Sequence, residues 1–118
     1  MVGNALPPFA FGPKVDGFPW GQCTWYVASL RNVNWSGNAW QWAYTARAAG
    51  RPEGMTPRVG SLVVFGPGHG YSGFGHVAYV ASVQGPRSFT VDEGNMLGLG
   101  WVDQRHIWSL NDVLAFIS

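Results

Sequence analysis

One thiol, one imidazole and one carboxylate stand where their neighbours suit nucleophilic chemistry. The only cysteine lies in Gly21-Gln22-Cys23-Thr24-Trp25-Tyr26, at the start of an expected helix. Free N–H groups and the positive end of the helix dipole favour negative charge there. A thiol so placed ionises more readily, and the thiolate is the nucleophile. Gly75-His76-Val77-Ala78-Tyr79-Val80 offers a base, and Glu93-Gly94-Asn95 offers polar groups to orient it. These are the parts of a cysteine hydrolase.

Each residue also has a plainer use. A free cysteine often just packs in a core. His76 could be a satisfied structural histidine, and Asp92-Glu93-Gly94-Asn95 is good turn chemistry. Position favours the chemical reading for Cys23, whose own backbone N–H could also hold the oxyanion of a tetrahedral intermediate. Gln22 is either an ordinary polar residue at a helix start or a second donor. His76 opens a strand after a loop, where an imidazole can face a cleft. His69, inside Gly68-His69-Gly70, has little to hold its ring rigid, and His106 reads as a surface residue of a late strand. A general base must be positioned before its pKa matters, so His76 ranks first.

The elements that must hold these residues change character halfway along. Pro7, Pro8 and Pro13 mark residues 1–18 as an extended strap. Spacing predicts a helix over 22–31, with Gln22, Trp25, Ala28 and Ser29 on one face and Tyr26, Leu30 and Val33 one step on. A second helix is expected over 39–49, capped by Asn38 and stopped by Gly50. Strands are expected over 61–65, 76–83 and 88–92, then over 101–108 and 113–117, with a glycine-rich loop over 66–75. Helices followed by a hairpin-built sheet make an α+β pattern. A turn at Gly85-Pro86 pairs the two hairpin strands with position numbers summing to about 170. That register sets Glu93 opposite about position 77, near His76, and leaves His69 without such a partner.

With 118 residues, 47% of them apolar, the chain is long enough for one packed domain and too apolar for disorder. A formal net charge of +1 gives no strong pull toward nucleic acid or membrane. No stretch approaches the roughly 18 apolar residues of a membrane span. A single cysteine permits no internal disulfide. The N-terminus lacks the charged start, apolar run and cleavage site of a signal peptide. A secreted form would therefore carry a signal or further domains upstream.

Taken together, Gly21-Gln22-Cys23-Thr24-Trp25-Tyr26-Val27-Ala28, Gly37-Asn38-Ala39, Pro57-Arg58-Val59-Gly60-Ser61-Leu62-Val63-Val64-Phe65, Gly75-His76-Val77-Ala78-Tyr79-Val80 and Glu93-Gly94-Asn95 resemble the CHAP domain, the cysteine- and histidine-dependent amidohydrolases/peptidases. The resemblance covers the chain from about Pro19 to about Arg105. It implies a papain-like α+β fold over 19–118, with N-terminal helices packed on a C-terminal antiparallel sheet. It implies hydrolysis of bacterial peptidoglycan, at the N-acetylmuramoyl–L-alanine amide or at a stem or cross-bridge peptide bond. Cys23 is then the nucleophile, His76 the base, Glu93 the orienting acid and Asn95 a further polar site residue. Gln22 and Trp25 are the candidates for oxyanion and substrate contacts. Trp20, Trp25, Trp35 and Trp40 are each groove or core residues, since aromatic faces suit sugar rings but core packing is the commoner fate. A secreted or wall-associated protein without cofactor is expected, and a monomer is the expectation for its oligomeric state, which the sequence leaves open. Some members bind calcium through a carboxylate-rich loop before the cysteine. Lys14-Val15-Asp16-Gly17-Phe18-Pro19-Trp20 has one carboxylate, against six to eight oxygen ligands for calcium, so no metal site is expected. Two other uses of the same parts are a non-catalytic wall- or protein-binding module and a transglutaminase-like acyltransferase.

Overall fold

Valine-rich runs bounded by glycine account for most of a seven-stranded antiparallel sheet. A computed structural model describes residues 17–118 and the short strand β1, Ala5–Leu6. The remainder of the expected strap, and the Lys14–Asp16 part of the loop before the cysteine, lie outside the described residues. Helices α1 (Cys23–Leu30) and α2 (Trp42–Ala48) come first, α2 preceded by a 3-10 turn at Ala39–Gln41. Strands β2 (Glu53–Gly54), β3 (Leu62–Phe65), β4 (His76–Gly85), β5 (Ser88–Gly94), β6 (Val102–Ile107) and β7 (Val113–Ile117) follow. Their order across the sheet is β1-β6-β5-β4-β3-β7-β2.

The expected α+β class is the observed one, with three local corrections. The buried face of α1 is Thr24, Trp25 and Val27, while Leu30 is exposed. The second helix begins as a 3-10 turn, closed by the Gln41 N–H donating to the Asn38 carbonyl at 2.9 Å, while the Gln41 side chain accepts the Asn38 N–H at 2.8 Å. β1 and β2, which the sequence pattern does not announce, pair with β6 and β7 at the two edges of the sheet.

Period-two alternation divides the sheet into two faces. On one, Leu62, Val64, Val77 and Ile117 bury against Val27 of α1 and Trp42 and Ala46 of α2. Trp42 is fully buried, edge-on to Trp35 at 5.5 Å between ring centroids. On the other face Val63, Phe65, Ala78, Val80, Phe89, Val91 and Phe116 form a second apolar cluster. His76, Glu93, Asp103 and Arg105 continue that second face toward one end of the sheet.

Candidate active site

Gly75 sets the approach to His76. Its φ is +75°, and a Cβ there would lie 2.6 Å from the Phe65 carbonyl and 2.9 Å from the Trp40 side chain. Only glycine fits, and the neighbouring backbone is tied down by the Trp40 N–H donating to the Phe74 carbonyl at 3.0 Å. His76 then opens β4 opposite Phe65. Being at the end of the strand, its ring can meet the first residue of α1, which is Cys23.

Gly21 does the same for the cysteine. Its φ is +82°, and a Cβ would lie 2.9 Å from the Gly100 backbone nitrogen. The Gly21 carbonyl accepts the Gly100 N–H at 3.0 Å. The Gly-rich, apolar stretch Leu97 to Trp101, for which the family resemblance supplies no role, therefore packs against the segment that leads into Cys23.

The register of β4 and β5 corrects one expectation. Tyr79 stands opposite Asp92 and Val80 opposite Val91, which carries Glu93 to the level of Ala78 and not of position 77. Irregularities at Val80/Ser82 and Val83/Gly85 shift the pairing between the turn and the site. One residue matters, because a one-residue slip sends a side chain to the other face. As folded, Glu93 shares a face with His76, and the His76 Nε2 to Glu93 Oε1 distance is 2.8 Å.

Both residues are buried, His76 at 4% and Glu93 at 0% exposure. Burial alone raises the Glu93 carboxyl pKa, but His76 and Arg105 more than offset this and leave it lowered. An ionised carboxylate only accepts, so His76 Nε2–H is the donor and Nδ1 is free for Cys23. Burial lowers the His76 pKa, and hydrogen bonding and charge from Cys23 and Glu93 outweigh it, giving about 9. Burial raises the Cys23 thiol pKa. The His76 hydrogen bond and charge, with the Val77 and Thr24 backbone N–H groups, turn the net shift downward. Thiol and imidazole thus favour the charged pair, thiolate with imidazolium.

Arg105 is the residue that sequence reasoning missed. Its Nε donates to Glu93 Oε2 at 2.9 Å and its Nη2 to Glu93 Oε1 at 3.1 Å. Nη2 also donates to the Tyr71 hydroxyl at 2.8 Å. The Tyr71 ring stacks on His76, 5.3 Å and 12° apart. The available signal was position: Arg105 follows Asp103 by two in β6, on the face next to Glu93.

A cleft of about 680 Å³ opens over Cys23, lined also by Gln22, Phe18, Asn38, Phe74, Gly75 and Asn95. Gln22 and Asn95 thus both border the cleft over Cys23, Asn95 in a left-handed turn with φ +67°. Trp25 is not among the residues lining the cleft. It is 3% exposed and packs with Val102, Phe18 and Tyr26. Two residues along a helix is about 200° of rotation, so Trp25 points away from Cys23. Of the remaining tryptophans, Trp35 is core, Trp20 is half-exposed and Trp40 packs edge-on to Tyr44. His69 has a carboxylate partner after all, Asp112 in the β6–β7 loop, but is exposed to solvent. His106 is half-buried on β6, held by Ser88 at 2.7 Å.

The chain is similar to known proteins in both sequence and fold. The CHAP domain family model matches residues 13–95, more than half of the chain. A Streptococcus mutans protein named "Putative hydrolase" is 40% identical over 93 residues, covering 77% of this chain and 42% of that protein. The staphylococcal secretory antigen SsaA of Staphylococcus aureus is 38% identical over 92 residues, covering 74% of this chain and 34% of its own. The crystal structure of an N-acetylmuramoyl-L-alanine amidase from Staphylococcus aureus superposes with a TM-score of 0.75 at 31% identity, over 92% of this chain and 35% of that one. The chain thus spans less than half the length of these relatives.

Proposed function

The chain belongs to the CHAP domain family, and from that premise we propose that it hydrolyses an amide bond of bacterial peptidoglycan with Cys23 as nucleophile. The observation that supports the reading is the row of three side chains, Cys23 at the start of α1 hydrogen-bonded to His76 at the start of β4, with Glu93 on the ring's Nε2. A papain-like arrangement accords with a thiol at a helix start facing an imidazole on a strand.

The thiolate of Cys23 attacks the amide carbonyl, forming a carbon–sulfur bond. The developing oxyanion is held by backbone N–H groups at the start of α1, with Gln22 as a side-chain donor. The His76 imidazolium gives its Nδ1 proton to the departing amine as the carbon–nitrogen bond breaks. Neutral His76 then takes a proton from water, which attacks the acyl-enzyme and frees the thiolate. Glu93 keeps Nε2–H oriented through both steps. Asn95 contributes a polar contact to the substrate in the cleft.

The favoured bond is N-acetylmuramoyl–L-alanine, the linkage for which the Staphylococcus aureus amidase is named. The relatives named autolysin and secretory antigen support action outside the cell, at the wall. No described helix is long and apolar enough to cross a membrane.

The test is digestion of purified peptidoglycan by wild type and Cys23→Ala, with mass spectrometry of the soluble products. Stem peptides with a free N-terminal alanine, from wild type alone, are the expected result. Fragments still joined to muramic acid reassign the bond to a peptide linkage. Undiminished hydrolysis by Cys23→Ala removes the nucleophile from the scheme.

A further inference from the structure

Behind the site lies a buried carboxyl that the mechanism above does not use. Asp103 has 0% exposure. It stands directly opposite Glu93 in the β5–β6 pairing. Neither of its side-chain oxygens has a hydrogen-bond donor among the described residues. Two ionised carboxylates would offer each other only acceptors. A buried carboxylate without a donor or a cation is strongly disfavoured, and such a group takes up a proton instead.

Glu93 is not the one to take it. Its oxygens already accept from His76 and from the Arg105 fork, and both partners favour its charged form. Among the described residues Asp103 has no hydrogen-bond donor, and the charges of Arg105 and His76 offset only part of the effect of burial and of Glu93. From β5 it faces Glu93, from β6 Arg105 and from β4 His76. Its partner in β1, Ala5, brings no titratable side chain.

We propose that Asp103 is a positioning residue that keeps its proton and donates it in a hydrogen bond to Glu93, fixing the carboxylate that orients His76. The protonated acid fills the remaining acceptor position of Glu93 without adding charge. Burial first, and then the neighbouring Glu93, raise the Asp103 pKa to about 7. Asp103 therefore keeps its proton below neutral pH and loses it above. Above it, a second negative charge lies close to His76 and strengthens the imidazolium. The activity arms of this inference rest on the catalytic reading of Cys23 and His76, and the spectroscopic arm does not.

The experiment compares the full chain with Asp103→Asn and Asp103→Ala. The infrared difference spectrum of wild type against Asp103→Asn is expected to show a protonated-carboxyl carbonyl band at about pH 6 that is lost by about pH 8. Alkylation of Cys23 reads the thiolate–imidazolium pair without any substrate. Asp103→Asn lacks the ionisable charge, so the alkaline limb of its alkylation profile lies at lower pH than in wild type. Asp103→Ala loses roughly tenfold in kcat, the scale of one lost hydrogen bond to a charged group, with little change in KM. Asp103→Asn, whose amide N–H can still donate to Glu93, recovers most of that loss. Absence of the carboxyl band in wild type overturns the proposal, as does an Asp103→Asn profile that superimposes on wild type. Should Asp103→Ala fail to fold, the band and the asparagine profile decide. An inactive wild type that shows the band and the shifted profile counts against the hydrolase reading and leaves the proton on Asp103.

Discussion

The two faces of the sheet are built on opposite principles. The helix-covered face is apolar, with Val27, Trp42 and Ala46 closing over Leu62, Val64, Val77 and Ile117. Its stability comes from buried area, which is non-directional and tolerates repacking. The other face begins as a similar apolar cluster but ends in His76, Glu93, Asp103 and Arg105, all on one side of the sheet. There burial is a cost, which His76, Glu93 and Arg105 offset by pairing with one another. The difference teaches where the molecule is brittle. One face can lose volume and keep its chemistry, whereas the other cannot lose one charge without stranding another.

Glu93→Gln is the sharpest way to break that contrast. It keeps the shape, removes the charge and leaves Arg105, 14% exposed on its side chain, without its anion. Removing one partner of a buried pair costs about 3–5 kcal/mol, to be read from denaturant unfolding. Activity falls as well, by roughly 10² or more. The sign on His76 follows from its neighbours. Glu93 helps raise its pKa to about 9, so the variant lowers it, and the alkaline limb of Cys23 alkylation moves to lower pH.

Trp42→Ala probes the other face. Deleting a fully buried tryptophan costs about 3–5 kcal/mol in stability. Below the melting transition, kcat per folded molecule and the pH profile of Cys23 alkylation should match wild type. A changed profile would show that the two faces are coupled, against the separation argued above.

Asp112→Asn carries the smallest effect. It removes the charge that pairs with exposed His69. An exposed pair contributes between zero and about 1 kcal/mol, so Tm and activity should barely move. A large loss of activity would mean that the glycine-rich loop depends on this tether.

Legibility followed the same division. Runs such as Leu62-Val63-Val64-Phe65 and the hairpin of β4 and β5 were plain, because alternation and glycine punctuation are local signals. Cys23 and His76 were plain too, from their place at a helix start and a strand start. The relation of Glu93 to His76 was only half legible. A turn at Gly85-Pro86 gives the approximate register, but irregularities at Val80/Ser82 and Val83/Gly85 set the final one. For Trp25 the choice between groove and core was not legible in the sequence, because helix rotation decides it and turns the ring into the core. Arg105 and Asp103 were not legible as site residues, because β6 joins the site only by pairing across β5.

The sequence alone determined that one thiol meets a helix start, that one histidine opens a strand, and that the apolar pattern makes an α+β domain. Each is fixed by residues a few positions apart. Tertiary structure decided which carboxylate holds the histidine, which arginine neutralises it, and which second carboxyl is shut in behind it. Those outcomes depend on strand register and sheet order, where one inserted residue moves a side chain across the sheet. Charge pairing in a buried row depends on contacts between strands that no local spacing records.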